Sequence, residues 1–475
     1  MTVDAIIIGG GIAGLSTAYE LRQRNISCVV LEQRARAGGV ILSEEVDGYT
    51  IDAGPDSLLV QKPDGIALCR DLGLGDELVP TLPPRLAYIQ RDGRLHPLPA
   101  ASVLGIPTRL RPFLATRLFS WRGKVRMGAE MLVPPRQDER DESIAAFMTR
   151  RFGAEATTYL AEPLLAGIHA GDVHRLSVRS LFPRFVEAER THGSLLRAFR
   201  SRAQGPALVD GAFRSLPGGL SQMVQALTTR LGPDVVKLDT TVRRVTAAES
   251  SAPFTVETDA HEPLRSRAVV CATPAYVTAP LLGTLDSELG RLCGEVPYAS
   301  TGTIVLAFRR ADVRHPLNGS GFVVPQVEAT GILAASWLSS KWPGRAPADR
   351  ALMRTFVGGA RDPQALERSD ADLIARSIAA ITPLLGISGP PLLSRVYRWE
   401  RASAQHEVGH AARVEAIERR LVQWAGLFLT GSGFRGVGIP DNVADGRATG
   451  KQVAEYLRAF RVSPQRNAED AEVQK

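Results

Sequence analysis

The hydrophobic pattern at the start of the chain predicts a βαβ unit. An apolar, mostly β-branched run at 5–8 is typical of a buried parallel strand. Apolar side chains then recur at helical spacing at Leu15, Ala18 and Leu21. A second apolar run over 28–31 predicts another strand, which ends at Glu32. This order of strand, helix and strand indicates the first unit of a dinucleotide-binding fold.

Later apolar runs predict strands that return to the same sheet. They cover 235–238, 241–245, 268–273 and 427–430, and a helix is expected from about Asn442 to Leu457. We therefore predict an α/β fold whose first domain is discontinuous and consists of 1–60, 211–280 and 421–461. The blocks 61–210, expected to be helical, and 281–420, expected to be α+β, interrupt it. The polar residues 462–475 are predicted to form a disordered tail.

A glycine-rich turn joins the first strand to the helix and predicts a phosphate-binding loop. The candidate contacts to a dinucleotide are Gly9, Gly10, Gly11, Ile12, Ala13 and Gly14. Such glycines permit a tight turn, let backbone N–H groups approach a pyrophosphate and allow close packing of helix and strand. The helix N-terminus adds partial positive charge. Glu32 is placed to accept hydrogen bonds from a ribose diol, and its charge would repel a 2′-phosphate.

The residues after the second strand indicate FAD rather than NAD. They match the ExxxRxGG extension of a large class of flavoproteins, with candidate contacts at Glu32, Gln33, Arg36, Gly38 and Gly39. Residues 52–57 resemble the segment that runs under the flavin ring in that class, with candidates at Gly54, Pro55, Asp56 and Ser57. Val242 is a candidate for contact with the adenine. The sequence thus predicts a discontinuous Rossmann-like FAD-binding domain.

A second GxGxxG over 431–436 does not indicate a second nucleotide domain. Only about 40 residues follow it, and no further strand ends in an acid. We interpret it as the return to the FAD domain, with Gly431 as a cofactor contact. The helix after it would point its positive end at the flavin and stabilise the anionic reduced form. Since no nicotinamide domain is predicted, oxygen, a quinone or a partner protein accepts the electrons, and an oxidase is the simplest interpretation.

Composition is that of an ordinary globular protein of two or three domains. The chain has 475 residues, of which 44% are hydrophobic and 23% charged. Cys28, Cys69, Cys271 and Cys293 stand far apart, which argues against a disulfide framework or a zinc site and fits a reducing compartment. We find no metal-binding motif, no secretory signal and no apolar stretch near the ~20 residues of a spanning helix. The sequence therefore predicts a cytoplasmic protein.

Residues 101–127 are basic and apolar without a single acid, in a chain of net charge +7. The segment contains Arg109, Arg111, Arg117, Arg122, Lys124 and Arg126, interleaved with Leu104, Ile106, Leu110, Phe113, Leu114, Leu118, Phe119 and Trp121. This mixture is typical of a segment that lies in an anionic membrane interface, which predicts a peripheral position on the inner face of the cell membrane. The alternative is a solvated basic helix packed on its own core. No recognition motif accompanies the charge, so we expect no nucleic-acid binding.

Several stretches beyond the FAD motifs resemble the oxygen-dependent porphyrinogen oxidases of the flavin-containing amine oxidase superfamily. They are GRLHPLP at 93–99, GIPT at 105–108, EPLLAGIHAGD at 162–172, KWPGRAP at 341–347, FVGG at 356–359, VGH at 408–410 and GVGIPD at 436–441. The resemblance implies that protoporphyrinogen IX or coproporphyrinogen III loses six electrons in three steps during heme biosynthesis. Dioxygen then reoxidises the flavin and yields hydrogen peroxide. Because the cofactor carries the chemistry, no catalytic residue beyond FAD is expected.

The resemblance also implies positions for the substrate. Gly167 resembles a glycine whose carbonyl faces the macrocycle, and Val323 and Trp342 fall where relatives place apolar side chains against the rings. Arg85 aligns, beside a short insertion, with an arginine that anchors a propionate. The alternatives are a place in the core for Trp342 and a solvated loop for Arg85.

Further cofactor contacts are implied at Trp399, Val437, Gly438 and Ile439, and Trp399 has the core as its alternative. The chain departs from its relatives at His169, where Tyr or Phe is common, and at Ala404, where proline is usual. Implied partners are dioxygen and ferrochelatase or another heme-pathway enzyme.

Two alternative functions stay open from the sequence. One is an FAD-dependent amine oxidase or a carotenoid-type desaturase on the same scaffold. Amine oxidases with covalent flavin carry a C-terminal Cys, whereas the last cysteine here is Cys293, so FAD is expected to be non-covalent. The other is a non-catalytic, membrane-associated flavoprotein. The choice between the two porphyrinogens is also open, although the GIPT, KWP and GVGIPD stretches look most like the Gram-positive type, which often acts on coproporphyrinogen.

Overall fold

The computed structural model describes residues 2–99, 102–103, 106–107, 109–202, 210–247, 254–260 and 262–472. The strands are β1 Thr2–Ile8, β2 Cys28–Leu31, β3 Ser43–Val46, β4 Tyr49–Asp52, β5 Leu58–Leu59, β6 Val79–Pro80, β7 Tyr88–Arg91, β8 Arg94–Pro97, β9 Ser102–Val103, β10 Ile106–Pro107, β11 Phe213–Ser215, β12 Val236–Lys237, β13 Val242–Thr246, β14 Phe254–Thr258, β15 Leu264–Cys271, β16 Tyr298–Arg309, β17 Gly321–Val323, β18 Ala334–Trp337, β19 Arg350–Gly358, β20 Leu393–Ala404 and β21 Leu427–Leu429.

The helices are α1 Ile12–Gln23, α2 Asp64–Asp71, α3 Leu110–Ala115, α4 Trp121–Gly128, α5 Ile144–Phe152, α6 Ala154–Ala156, α7 Val178–Leu181, α8 Pro183–His192, α9 Leu195–Arg202, α10 Ser221–Leu231, α11 Ala275–Gly283, α12 Ser287–Gly294, α13 Leu338–Lys341, α14 Asp370–Leu385, α15 His410–Leu421 and α16 Ile439–Glu472. A π-helical stretch covers Thr157–Ala166. The last helix extends into the range 462–475, for which the sequence predicts a tail, and residues 473–475 lie outside the described residues.

The first sheet is built around the N-terminal strand, as the βαβ pattern predicts. Its order is β12-β2-β1-β15-β14-β13, and β21 also pairs with β15. The strands β12, β2, β1, β15 and β21 are parallel. Alternate side chains of β1 enter two different cores: Ala5 and Ile7 face a core shared with α1 and α16, whereas Ile6 and Ile8 face one shared with α11 and α12. Helices therefore cover both faces of a Rossmann-like sheet.

Helix α16 packs against α1 through glycine residues. The Thr17 hydroxyl donates to the Gly446 carbonyl at 2.9 Å. A Cβ on Gly446 would overlap the Ala13 carbonyl oxygen, and a Cβ on Gly450 would lie 2.8 Å from Glu20 Cβ. Because Gly446 meets the start of α1 and Gly450 its later turns, the two helices run in the same direction. Both N-termini therefore point toward the same edge of the sheet.

The second sheet has the order β20-β16-β19-β18-β17-β7-β8 and is antiparallel except where β17 pairs with β7. Helix α14 packs on one face, and the β3–β4 hairpin of the first domain packs on the other. Most of its strands come from the predicted block 281–420. Strands β7 and β8 come from the block 61–210, so this block is not wholly helical as expected. The short strands β5, β6 and β11 form a separate small sheet.

Helices α3–α9 and the π-helical stretch form a third core. Ile106, Phe113, Leu118 and Phe119 are buried in this core. The prediction that the apolar residues of 101–127 lie at a surface is therefore wrong for these four. Trp121 and Val125 are exposed. Residues 101, 104, 105 and 108 of the segment lie outside the described residues.

The close packing of α1 on α16 predicts a large effect for one added methyl group. Gly446→Ala should lower the free energy of unfolding by about 1–3 kcal/mol, because the new Cβ must displace the α1 backbone in a closely packed core. Gly128→Ala is the matched control, since no atom lies within 4 Å of a Cβ at that position. Thermal unfolding of both variants gives the comparison. Equal midpoints for the two variants would contradict the packing described for α16.

Candidate cofactor and substrate site

The ends of three parallel strands meet at the N-terminal glycine loop. Ile8, Cys271 and Leu429 are paired across β1, β15 and β21, so the chain leaves all three strands at one edge of the sheet. Gly9 has a φ of 108°, and a Cβ on Gly14 would overlap the Gly9 carbonyl oxygen. Both positions therefore require glycine. Binding crevices of parallel α/β sheets lie at such an edge.

Glu32 is buried beside this loop and fixes its shape. Its carboxylate accepts hydrogen bonds from the Gly10 N–H at 2.7 Å and the Arg34 N–H at 2.9 Å. An ionised carboxylate has about four acceptor positions. The side chain thus retains acceptor capacity, and a hydrogen bond from a ribose hydroxyl remains the prediction for it.

Arg36 shapes the turn that follows. Its guanidinium donates to the carbonyl oxygens of Ala37, Gly39 and Ile41 at 3.3, 2.7 and 3.2 Å. A Cβ on Gly39 would lie 3.5 Å from Gly11 Cα, so this turn lies against the phosphate loop. Among the described residues, and apart from the chain neighbours of each glycine, no other atom lies within 4 Å of that point or of a Cβ on Gly11. The backbone around Gly11 thus faces open space, as a pyrophosphate requires. Gln33, another predicted cofactor contact, is exposed.

A line of backbone contacts continues from this turn to the second sheet. Beside Gly39, the Val40 carbonyl meets Gly54, where an added Cβ would overlap it. The same Cβ would lie 3.7 Å from the Trp399 ring, and Trp399 donates its indole N–H to the Ala53 carbonyl at 3.1 Å. The contacts from Gly11 to Trp399 form one continuous wall.

Side chains of the second sheet bind three successive carbonyl groups at 52–54. Arg354 donates to the carbonyls of Asp52 and Gly54, the latter at 2.6 Å, and the Thr303 hydroxyl donates to Ala53 at 2.6 Å. Thr303 and Arg354 lie on the adjacent strands β16 and β19. In the same segment, Gly54, Pro55 and Ser57 are half-buried. The segment predicted to underlie the flavin is therefore bound by side chains of the second sheet.

The Asp56 side chain points into this joint rather than toward a ligand. It pairs with Lys341 at 2.9 Å and with Arg354 at 3.3 Å, and it accepts the Trp342 indole N–H at 3.3 Å. Burial alone would raise the pKa of the Asp56 carboxyl, but the two cations outweigh it and hold the pKa well below its usual range. Trp342 is 0% exposed. This burial favours the alternative that Trp342 belongs to the core, and its role as a substrate contact remains a prediction.

The second glycine motif belongs to the first sheet, as the sequence predicts. Strand β21 pairs with β15, and the Gly431 N–H donates to Asp445 at 2.9 Å. A Cβ on Gly431 would lie 3.8 Å from Ala13 Cβ, beside the phosphate loop. Val437 and Gly438 are half-buried, and α16 begins at the buried residue Ile439, three residues earlier than expected.

A half-buried ion pair joins the helical region to the end of strand β17. Arg361 pairs with Glu162 at 2.8 Å and donates to the Val324 carbonyl at 2.8 Å. Glu162 lies on the π-helical stretch that leads into Gly167, and Val324 directly follows Val323, the last residue of β17. Gly167 and Val323 are both half-buried. Their roles as substrate contacts remain predictions.

His169 lies close to a group of polar side chains that come from distant parts of the chain. Burial, followed by the charges of His406 and Lys62, lowers the pKa of His169 to about 4, so the ring is neutral near pH 7. The Lys62 ammonium binds the Asp441 carboxylate at 2.6 Å, in the first turn of α16. His406 stacks on His410 with ring centroids 3.8 Å apart. The motifs at 408–410 and 436–441 contain two of these residues, but only the fold brings them to 62 and 169.

Arg85 and Val242 are not joined to these groups by the contacts described. Arg85 is exposed and donates to the Thr81 carbonyl at 3.0 Å. Val242 is half-buried at the start of β13. Both roles remain predictions.

Within the described ranges, no group of three or more His, Cys, Asp or Glu side chains is arranged to hold a metal ion. In the same ranges, none of the helices combines the length and the apolar character needed to cross a membrane. The four cysteines are free and buried.

Comparison with known proteins agrees with this geometry. The family model of flavin containing amine oxidoreductases matches residues 12–454. Coproporphyrinogen III oxidase of Bacillus subtilis (strain 168) is 34% identical over 95% of this chain and 98% of its own length. Chloroplastic protoporphyrinogen oxidase of Nicotiana tabacum is 27% identical over 96% of this chain and 86% of its own.

Solved structures show the same fold. The crystal structure of a protein of Exiguobacterium sp. 255-15, assigned as a protoporphyrinogen oxidase, superposes with a TM-score of 0.84 at 30% identity, over 95% of this chain and 98% of the other. Cyclohexylamine oxidase of Brevibacterium oxydans IH-35A superposes with a TM-score of 0.70 at 18% identity, over 96% of this chain and 99% of the other, and shares the fold alone. The chain belongs to the family of flavin containing amine oxidoreductases, within which porphyrinogen oxidases match its sequence nearly from end to end, and its cofactor is FAD.

Proposed function

We propose that this protein is an oxygen-dependent porphyrinogen oxidase of heme biosynthesis. Its substrate is coproporphyrinogen III or protoporphyrinogen IX, which loses six electrons in three two-electron steps to become the porphyrin. Each step converts one dioxygen to one hydrogen peroxide. The observation that carries the proposal is the extent of the 34% identity, which covers 95% of the chain and so includes the second sheet and the helical region as well as the FAD motifs. The porphyrin then passes to ferrochelatase or another heme-pathway enzyme.

FAD is held without a covalent bond in the discontinuous domain 1–60, 211–280 and 421–461. The phosphate loop from Gly9 to Gly14 binds the pyrophosphate, Glu32 accepts hydrogen bonds from the ribose, and the flavin lies over residues 54–57 beside Trp399. The N-terminus of α16 approaches the same end. When bound, FAD supplies the hydride acceptor. The buried state of the four cysteines supports non-covalent binding, since no thiol is available at a surface.

The substrate lies between the helical region and the second sheet, where Gly167 and Val323 form opposite walls. Their spacing is fixed by the Arg361–Glu162 pair, whose two side chains are each 13% exposed. The neutral ring of His169 can donate or accept a hydrogen bond there without placing a charge against the macrocycle. The residues of this region therefore orient the substrate and exclude water, and no dyad of base and nucleophile is needed.

The other functions considered have less support. The amine oxidase match reaches only 18% identity, and nothing beyond the fold is shared at that level. A non-catalytic flavoprotein would not require an ordered wall opposite the cofactor segment.

The exposed part of the basic segment contacts an anionic membrane surface. On α4, Trp121 and Val125 are 68% and 70% exposed and lie one turn apart, and on α3 Leu110 is 58% exposed. Arg109, Arg111, Arg117 and Arg122 are exposed around them. Lys124 joins the two helices, because its ammonium donates to the Leu114 carbonyl at 2.8 Å and lies 4.6 Å from the centre of the Trp121 ring. Exposed apolar and cationic side chains together match the chemistry of an anionic bilayer surface.

Anaerobic mixing with porphyrinogen tests the function directly. Coproporphyrinogen III or protoporphyrinogen IX should bleach the flavin absorbance within the time of one turnover, and aerobic turnover should form three hydrogen peroxide per porphyrin. Parallel assays with both substrates identify the physiological one. A protein that contains flavin and is bleached by neither porphyrinogen would contradict the proposal.

Reversal of one buried charge should abolish cofactor binding. Glu32→Arg replaces the acceptor for the Gly10 N–H and the ribose with a buried cation, so we expect at least a tenfold loss of flavin content after purification. Glu415→Arg makes the same charge change at an exposed position of α15 and serves as the control. Absorbance at 450 nm per chain is the readout. Full flavin content in Glu32→Arg would show that Glu32 does not bind the ribose.

Removal of exposed apolar side chains should weaken membrane binding. The double variant Trp121→Ser, Val125→Ser should sediment less with vesicles that contain phosphatidylserine, because apolar area and charge act together at the interface. Val422→Ser, at a position 82% exposed on another part of the chain, is the control. Unchanged sedimentation of the double variant would favour the solvated-helix alternative.

A further inference from the structure

Five charged side chains lie buried together behind residues 52–57. Lys341 and Arg354 pair with Asp56 at 2.9 and 3.3 Å, and Arg345 pairs with Asp52 at 2.9 Å. None of the five side chains is more than 13% exposed. Three cations therefore face two carboxylates. Burial raises the pKa of the Asp52 carboxyl, although the nearby Arg345 acts in the opposite direction. Protonation of Asp52 would only add to the excess of positive charge.

This charge cluster is joined directly to the segment that we place under the flavin. Asp56 belongs to the segment, and Arg354 donates to the carbonyls of Asp52 and Gly54. The cluster therefore lies one side-chain length behind the backbone at 54–57. Charges in such a buried position are screened by water and salt far less than surface charges are.

We propose that Lys341 gives this cluster its excess positive charge and thereby favours the reduced state of the cofactor. Lys341 acts through Asp56 and the segment 54–57, so it is a positioning residue rather than a catalytic one. The inference rests on the proposed position of the flavin. Two electrons and one proton, transferred as a hydride from the substrate, leave one negative charge on a flavin that is neutral when oxidised. A fixed positive charge behind the ring stabilises that product without reorganisation at the moment of transfer.

The count of charges predicts opposite effects for two substitutions in one ion pair. Lys341→Met removes a cation and should lower the midpoint potential of bound FAD. The expected shift corresponds to a tenfold or larger change in the ratio of reduced to oxidised flavin, or about 30 mV for a two-electron couple. Asp56→Asn removes an anion and should raise the potential by a similar amount. The double variant restores the original excess and should return close to the wild-type value.

Equilibration with redox dyes, without porphyrinogen, measures these potentials. Lys341→Arg keeps the charge and should retain the wild-type potential, and Lys451→Met is the control for net charge, because Lys451 is exposed on α16. If the ion pair had a purely structural role, both single variants would shift the midpoint potential of bound FAD in the same direction. Shifts in one direction for both, or no shift in variants that retain FAD, would overturn the proposal. If Lys341→Met loses its flavin, the Asp56→Asn and Lys341→Arg variants decide the question.

This test is independent of the substrate assignment. A wild-type protein that oxidises neither porphyrinogen still allows the potentials to be measured, and equal potentials in all variants leave the turnover result unaffected.

Discussion

The hydrogen bonds and ion pairs at residues 52–56 are the constraint on which the rest of the site depends. Arg354 and Thr303 of the second sheet bind the carbonyls of three successive residues, while Lys341 and Arg354 neutralise Asp56. Loss of Asp56 would leave the buried Lys341 and Arg354 without this carboxylate, and loss of one partner of a buried ion pair typically destabilises a protein by about 3–5 kcal/mol. The joint therefore fixes the position of the second domain relative to the cofactor loop.

The part of the fold that the sequence predicted is the part encoded by local pattern. Strand β2 was predicted with its observed bounds and β21 in its observed place, because a strand buried on both faces requires an unbroken apolar run. Helix α1 was predicted in its observed place from the helical spacing of its apolar residues. The interpretation of Gly431 was also correct in this respect, since β21 returns to the first sheet. The FAD motif could be read without the structure because its glycines and Glu32 are close in sequence.

Sequence patterns carry least information where long-range contacts decide the role of a side chain. Trp342 matched a substrate position by alignment, and in the structure its indole N–H donates to Asp56, which lies 286 positions earlier in the chain. Phe119 lies in a segment whose composition is typical of a membrane interface, but its side chain is buried in the third core. Trp121, at the start of α4, is the exposed aromatic residue of this segment. Lys62, His169 and His406 come together only through the tertiary fold. No periodicity or spacing records such contacts.

We infer that one FAD per chain lies along the wall from Gly11 to Trp399. Denaturation of the purified protein, followed by measurement of the released flavin, is the sharpest test. We expect one equivalent of free FAD in the soluble fraction, with no flavin left on the denatured chain. A colourless protein that binds no added FAD, or flavin that stays attached to the chain, would contradict it.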